Sequence, residues 1–468
     1  MTDDFIRPVE KLSWRFPRTF WIANTAELFE RAAFYGMFIA LTLYLTREVG
    51  FTDKETALVA GLFASVLYLL PTFMGAMADK IGFRRALILA FSLLTVGYFL
   101  LGAAPVVGRF IPGALHVKET AIVSLALIMI GGAIIKPVIS GTVAKCSDER
   151  HRARAFSIFY QVVNIGAFLG KSMATPLRQE LGLEYINYYA STMALAALVF
   201  VVLFYKNVDT KGTAKTPREA LMGLVKVILN FRFMALILIV AGFWTIQGQL
   251  YATMPKYILR LLGEGAKPEW LANINPLVVV IFVIPITHLV RKFRPENAIG
   301  VGLFIIPLSA LSIALSPFFE SVYGNSVSVF GFFSLHPITL MVILGIGLQG
   351  LAECFLSPKF LEYASRQAPE GEVGLYLGYQ HLTTFFAWLF GFLLSGELLD
   401  RFCPDPKTLS AEVHAQWEAA IQTGSAMPDA YANAHYIWFV FVGIGVAAFL
   451  ALWVFKFVTD MIDRARGS

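Results

Sequence analysis

The chain has 468 residues, of which 57% are hydrophobic, 14% aromatic and only 15% charged, where a soluble domain carries roughly 25% charged residues. Twelve membrane spans of about 22 residues need roughly 264 apolar positions, and 57% of 468 is about 267, so the composition excludes a soluble enzyme and leaves little for a soluble domain. A mean hydropathy of +0.66 excludes disorder and nucleic-acid binding as the main design, although the net charge is +6 and the isoelectric point about 9.0.

The N-terminal MTDDFIRPVEKLSWRFPR is charged and has no apolar core ahead of a small-residue cleavage site, so no cleaved signal peptide is expected. Apolar runs bounded by charge clusters then predict spans near 19–46, 54–78, 86–108, 120–145, 154–177, 187–205, 233–260, 271–290, 297–317, 336–365, 372–399 and 432–457. The expected fold class is an all-α membrane protein with 12 transmembrane helices. Its expected division is a six-helix bundle over 1–205, a linker over 206–232 and a second six-helix bundle over 233–468. Three cysteines, Cys146, Cys354 and Cys403, form no paired framework and have no metal-ligand spacing, so neither a metal nor a cofactor is expected.

Cytoplasmic loops hold an excess of Lys and Arg. The termini and even-numbered connections carry 25 of the 38 basic residues, the odd-numbered connections 11, and the membrane interior two, Arg31 and Lys136. Both termini are therefore expected in the cytoplasm of a multi-pass cell-membrane protein. The clusters Lys80/Arg84/Arg85, Lys145/Arg150/Arg152/Arg154 and Arg291/Lys292/Arg294 suit anionic lipid of the inner leaflet. In the linker, Pro217 opens an amphipathic stretch with Leu221, Leu224, Val225 and Ile228 on one side, which predicts a short helix lying on the membrane. The external connection 401–431 contains a second helical stretch, AEVHAQWEAAIQ.

Ionisable side chains in hydrocarbon cost about 2.5–3.5 kcal/mol each on insertion scales and mark pathways. Span 1 carries Glu27, Glu30 and Arg31, span 4 carries Lys136 and span 10 carries Glu353. If each half is two three-helix repeats, spans 1, 4, 7 and 10 are equivalent first helices around a central site. Span 7 has no charge, but FWTIQGQLY puts Gln247 and Gln249 at comparable depth. Glu27 and Arg31, four apart, share a helix face, whereas Glu30 is turned about 100° from Arg31. Glu27 is thus expected to neutralise Arg31, and Glu30 to seek Lys136. Protonating Glu30, or a substrate carboxylate competing for the lysine, would break that contact and couple the proton to the cavity. The competing reading is a static buried network that fixes helix packing.

At the end of span 2, Gly75, Asp79, Gly82, Arg84 and Arg85 have the spacing GxxxDxxGxRR. This resembles the span 2–3 signature of the major facilitator superfamily, which implies a conformational gate at that turn. The chain further resembles the proton-coupled oligopeptide transporters of that superfamily. The matching residues are Glu27-Leu-Phe-Glu30-Arg31 with Phe34-Tyr35-Gly36, Tyr68 before Pro71, Lys136-Pro137, Tyr160 and Asn164 in FYQVVNIG, Asn275-Pro276, and Glu353 with Ser357-Pro358. The resemblance implies proton coupling by Glu27, Glu30, Arg31 and Lys136. It also implies a substrate carboxylate at Lys136, a substrate amine at Glu353, and Tyr35, Tyr68, Tyr160, Asn164, Gln247, Asn275, Ser357 and Gln380 around the site. The chain departs from the family at Gly248, where an acid is usual in FWxxxEQ, and at Ala32 and Ala33 after the ExxER motif. It departs again at Gln380, beside His381, where a span 11 tryptophan is usual.

The leading expectation is proton-coupled symport of short peptides or a related zwitterion, with a small peptide-like substrate and protons as partners. The alternative is an exporter or facilitator of another amphipathic or anionic solute on the same fold, motivated by Gly248 and Gln380. A nutrient receptor would need a sizeable signalling segment, and no connection supplies one. No nucleophile–base constellation suggests an enzyme, and Gly131-Gly132 lacks the setting of a phosphate loop.

Overall fold

Inside a bilayer every backbone polar group must be satisfied within the protein, so long apolar runs fold as helices. The structure, a computed structural model, describes residues 16–110, 116–147, 151–206, 217–329, 331–368, 376 and 378–465. The first half contains α1 (Arg18–Arg47), α2 (Asp53–Leu69), α3 (Pro71–Ile81), α4 (Phe83–Phe110), α5 (Val117–Lys145), α6 (Arg152–Pro176) and α7 (Leu183–Phe204). After α8 (Pro217–Leu229) come α9 (Phe231–Ala252), α10 (Met254–Leu262), α11 (Pro268–Leu271), α12 (Ile274–Leu289), α13 (Pro295–Ala314) and α14 (Ser316–Tyr323). A hairpin of β1 (Val327–Val329) and β2 (Phe333–Leu335) leads to α15 (Pro337–Gln367), α16 (Leu382–Phe402), α17 (Ala411–Thr423) and α18 (Tyr436–Ala465).

Ten helices among the described residues are long and apolar enough to cross a membrane. The α2–α3 pair and α6 complete twelve spans. Span 2 is not the continuous helix expected over 54–78, because Pro71, which has no N–H to donate, starts a new helix after Leu70. Span 7 breaks in the same way at Thr253, ahead of Pro255. In span 11, residues 376 and 378–379 are helical and a turn at Gln380–His381 precedes the long helix from Leu382; the start expected near 372 lies outside the described residues.

Local signals set the ends. Thr52 and Glu55 form a reciprocal capping box that starts α2. Gly82, at φ 86°, turns the chain between α3 and α4 in a conformation that favours glycine. In α8, Leu221, Val225 and Ile228 are exposed and Leu224 is half-buried, so a helix outside the bundle presents an apolar face. The stretch expected to be helical after residue 410 is α17, capped by Ser410.

The helix α1 is buried on nearly all sides, as a helix surrounded by protein should be. It packs on α6 and α7, while α4 packs on α5 and α7 and α3 on α5. In the second half α13 packs on α15 and α18, α9 on α16 and α18, and α12 on α15. Between the halves, α2 runs along α16, α1 meets α9 and α10, and α6 meets α11.

Lipid tails are as apolar as leucine, so close backbone approach holds such helices together. At Gly170 a Cβ would overlap the Ala32 carbonyl oxygen and lie 2.9 Å from the Gly36 nitrogen. Both obstacles are main-chain atoms and cannot rotate away. Gly170→Val is expected to force α1 from α6 and to lower folding stability by on the order of 2–3 kcal/mol, read as a fall in the thermal midpoint of the purified protein. An unchanged midpoint would contradict this packing.

Candidate functional site

Span 1 delivers the acids to one cation. Arg31 Nε lies 3.2 Å from Glu27 Oε1, as the i, i+4 spacing predicts, and all three side chains are buried. Glu30 does not pair with Lys136 as expected. It pairs with the Arg31 guanidinium, which also receives Glu27. The long arginine and glutamate stems fold across the difference in helix face. Glu27 Oε2 remains buried with no hydrogen-bond partner among the described residues.

Lys136 on α5 has no ion pair among the described residues, and its Nζ sits 3.9 Å from the centroid of the Tyr68 ring. That is a close cation–π contact. Gly75 on α3 faces Pro137, next to this lysine. The Tyr68 ring also meets Trp388 at 5.1 Å and His381 at 6.0 Å. Trp388 stacks on Phe38 at 5.2 Å. A tryptophan is therefore present where span 11 meets the site, two turns after Gln380. Gln380 is half-buried in the turn ahead of α16.

In the second half, Gln247 Nε2 donates to Glu353 Oε2 at 2.7 Å, and Asn275 Nδ2 donates to the same oxygen at 3.5 Å. Glu353 is held by two neutral amides from α9 and α12. Ser357, one turn on, has its hydroxyl buried without a partner among the described residues. Tyr35, Tyr68, Lys136, Asn164 and Glu353 are half-buried, and Tyr160 and His381 are exposed. All lie well inside their spans or, for His381, beside Tyr68. Asn164 bonds back to the Tyr160 carbonyl at 2.8 Å. With Gln161 it lines an apolar crevice against Pro276, Leu277 and Val280.

The end of the molecule expected to be external is sealed by residues absent from the sequence reading. Asp53, first in α2, accepts from Lys256 Nζ at 2.6 Å and from Arg260 at 2.8 and 3.0 Å. Lys256 also donates to Thr46 at 2.5 Å, and Arg260 to the Cys403 carbonyl at 2.5 Å. A second lock joins Arg178 to Glu269 at 2.6 Å, with Thr175 donating to the same carboxylate at 2.8 Å. Arg47 pairs with Glu264 at 2.6 Å. All of these ties except the Arg260–Cys403 contact, which lies within the second half, cross between the halves. At the opposite end, Arg84 Nη2 donates to the Val202 carbonyl at 2.7 Å and Arg85 is exposed, while the Asp79 side chain lies outside the described part of the structure.

Arg31 and Lys136 are not alone among buried basic residues inside the expected spans: Lys171, Lys256, Arg260 and Lys359 are buried there too. Lys171 was counted with an external connection, yet it is a buried residue of α6 beside Tyr35 and Tyr251. Its signal was plain in the sequence: a lysine in AFLGKSMATP, inside the expected span 154–177.

A family model described as Major Facilitator Superfamily matches residues 25–333, more than half of the chain. The chain is 22% identical over 445 residues to the dipeptide and tripeptide permease B of Salmonella typhimurium, covering 80% of this chain and 86% of that protein. It is 23% identical over 294 residues to the multidrug resistance protein MdtH of Photorhabdus laumondii, covering 62% and 69%. A solved peptide transporter POT in complex with sulfate superposes with a TM-score of 0.69 at 20% identity, covering 96% of this chain and 95% of that one. A POT family transporter solved with 5-aminolevulinic acid gives 0.68 at 18% identity. At those identities the structural likeness shows the fold.

Proposed function

The chain belongs to the Major Facilitator Superfamily, and from that premise we propose that it is a proton-coupled symporter, not an enzyme, importing short peptides or a related zwitterion across the cell membrane by alternating access. The observation that carries the reading is the division of charge between the two halves of the molecule. Lys136 and the Arg31 cluster stand on one side, and Glu353 with Gln247 and Asn275 on the other. A zwitterion fits that pattern, its carboxylate on Lys136 and its amine on Glu353, with Tyr35, Tyr68, Tyr160, Asn164, Ser357 and Gln380 around it. The names of the permease relatives support the same substrate class.

Glu27 and Glu30 share one arginine, so a proton on either leaves the other fully paired. Proton and substrate carboxylate then act on the same group of charges: the first removes an acid, and the second supplies one to Lys136. Each proton moved inward supplies about 2.3 kcal/mol per 100 mV and about 1.4 kcal/mol per pH unit. We assign the sealed end to the outside and both termini to the cytoplasm, with the two bundles 1–205 and 233–468 rocking about the site. In this reading Gly75, Asp79, Gly82, Arg84 and Arg85 form the gate at the cytoplasmic end, and the basic clusters there meet anionic lipid.

Radiolabelled dialanine uptake into proteoliposomes, with and without an inward proton gradient, tests the reading. Accumulation above the external concentration only with the gradient is expected. Equal uptake under both conditions would make the chain a facilitator.

Gly248 offers a second test. A Cβ there lies 3.5 Å from Trp388, an ordinary contact, and the Trp388 indole N–H is buried without a partner among the described residues. A carboxylate introduced by Gly248→Glu has room and a waiting donor. The variant is expected to steepen the pH dependence of uptake, with more protons moved per substrate. An unchanged stoichiometry would show that this position takes no part in coupling.

A further inference from the structure

The two lysines near the cavity differ from every acid there. Glu27 and Glu30 share Arg31, and Glu353 accepts from Gln247 and Asn275. Lys136 and Lys171 have no carboxylate in ion-pair contact among the described residues. Lys136 rests on the Tyr68 ring. Lys171 Nζ donates to the Ala272 carbonyl at 3.3 Å and otherwise faces the rings of Tyr35 and Tyr251, 5.5 and 5.6 Å away. An ammonium has three donors, and contacts near 6 Å are at the limit of cation–π attraction.

Lys256 shows what a structural lysine looks like in this chain. Both lysines are 2% exposed, but Lys256 has Asp53 at 2.6 Å and Thr46 at 2.5 Å. Lys171 lacks such partners, although a buried charge is ordinarily paired. Its position is fixed: Gly170, the preceding residue, locks α6 against the α1 backbone. The Tyr35 ring has two cations near it, the Arg31 guanidinium 5.9 Å and Lys171 5.5 Å from its centroid. Lys171 has a flexible four-carbon stem, and Tyr35 is half-buried in the site. A substrate group that reaches Tyr35 is within range of the lysine.

We propose that Lys171 is a second anion-binding cation of the substrate site, and that the preferred substrates are peptides or peptide-like zwitterions carrying an additional anionic group, such as an acidic side chain. The substrate amine meets Glu353, one carboxylate meets Lys136, and the second carboxylate draws Lys171 from its place between the tyrosine rings. The inference rests on the transport reading above and sharpens its substrate class.

The test is competition against radiolabelled dialanine uptake in proteoliposomes by Ala-Glu and its neutral near-isostere Ala-Gln. Ala-Glu is expected to inhibit at an about tenfold lower concentration than Ala-Gln, the ratio that one charge-assisted contact gives. Lys171→Gln is expected to bring the ratio to about one, and Lys171→Arg to retain it. Equal inhibition of the unmodified protein by both peptides overturns the inference while leaving peptide transport standing, and needs no variant to fold. A ratio that survives Lys171→Gln overturns the assignment to this lysine. Absence of dialanine uptake and of binding by either competitor overturns the transport reading, and this inference with it.

Discussion

Lys136→Ala is expected to abolish gradient-driven accumulation while leaving a folded protein. The lysine amine contacts the Tyr68 ring and no carboxylate, so its removal strands no buried acid. The fold is held elsewhere, by the α1–α6 approach at Gly170 and by the ion pairs of the sealed end. What is lost is the cation that both a substrate carboxylate and the Glu27/Glu30 pair respond to. With 100 mV and one pH unit of drive, the available energy of about 3.7 kcal/mol corresponds to several-hundred-fold accumulation. The variant is expected to fall to about onefold, with substrate equilibrating at most. Uptake by Lys136→Ala proteoliposomes, measured beside the thermal midpoint of the same preparation, checks both halves of the statement. If the variant concentrates substrate as well as the parent, the cluster is a packing network.

Asp53→Asn is expected to be the most damaging single change at the sealed end. One carboxylate neutralises both Lys256 and Arg260, and all three side chains are buried. Breaking a buried pair by removing one partner costs about 3–5 kcal/mol because the remaining charge is stranded, and here two cations are stranded with, among the described residues, only the Asp405 carboxylate nearby, 3.5 Å from Arg260. The thermal midpoint is expected to fall by several degrees. Adding Lys256→Met should recover part of the loss, since it removes one stranded charge and keeps the volume. If the double variant is less stable than the single one, the damage comes from lost packing and not from charge.

Much of this architecture was readable from local pattern. The 3.6-residue geometry of AELFER puts Glu27 on Arg31, and the run of apolar segments between basic clusters places the spans. The same reasoning failed where the outcome depends on side-chain reach or on distant partners. Glu30 turned to its neighbour Arg31 and left Lys136 to an aromatic face. Asp53 and Lys256 are 203 positions apart, and no periodicity connects an acid at the start of span 2 with a lysine near the end of span 7. Gln380 stood where a tryptophan was sought, and Trp388, on the following helix, supplies the ring from two turns away. Proline broke spans 2 and 7 into paired helices, which apolar content alone does not reveal. Lys171 lies inside the expected span 154–177 but was left out of the membrane-interior cations, because a lysine near a span's end is normally a boundary signal.

The central claim is that peptide and proton move together in the same direction. Purified protein in liposomes containing a pH-sensitive dye, with the membrane potential clamped negative inside, reports it directly when dialanine is added outside. Symport predicts prompt internal acidification that saturates with dialanine and is absent with Lys136→Ala. An internal pH that stays constant while radiolabelled dialanine enters would show transport without coupling, and would refute the roles given to Glu27, Glu30, Arg31 and Lys136.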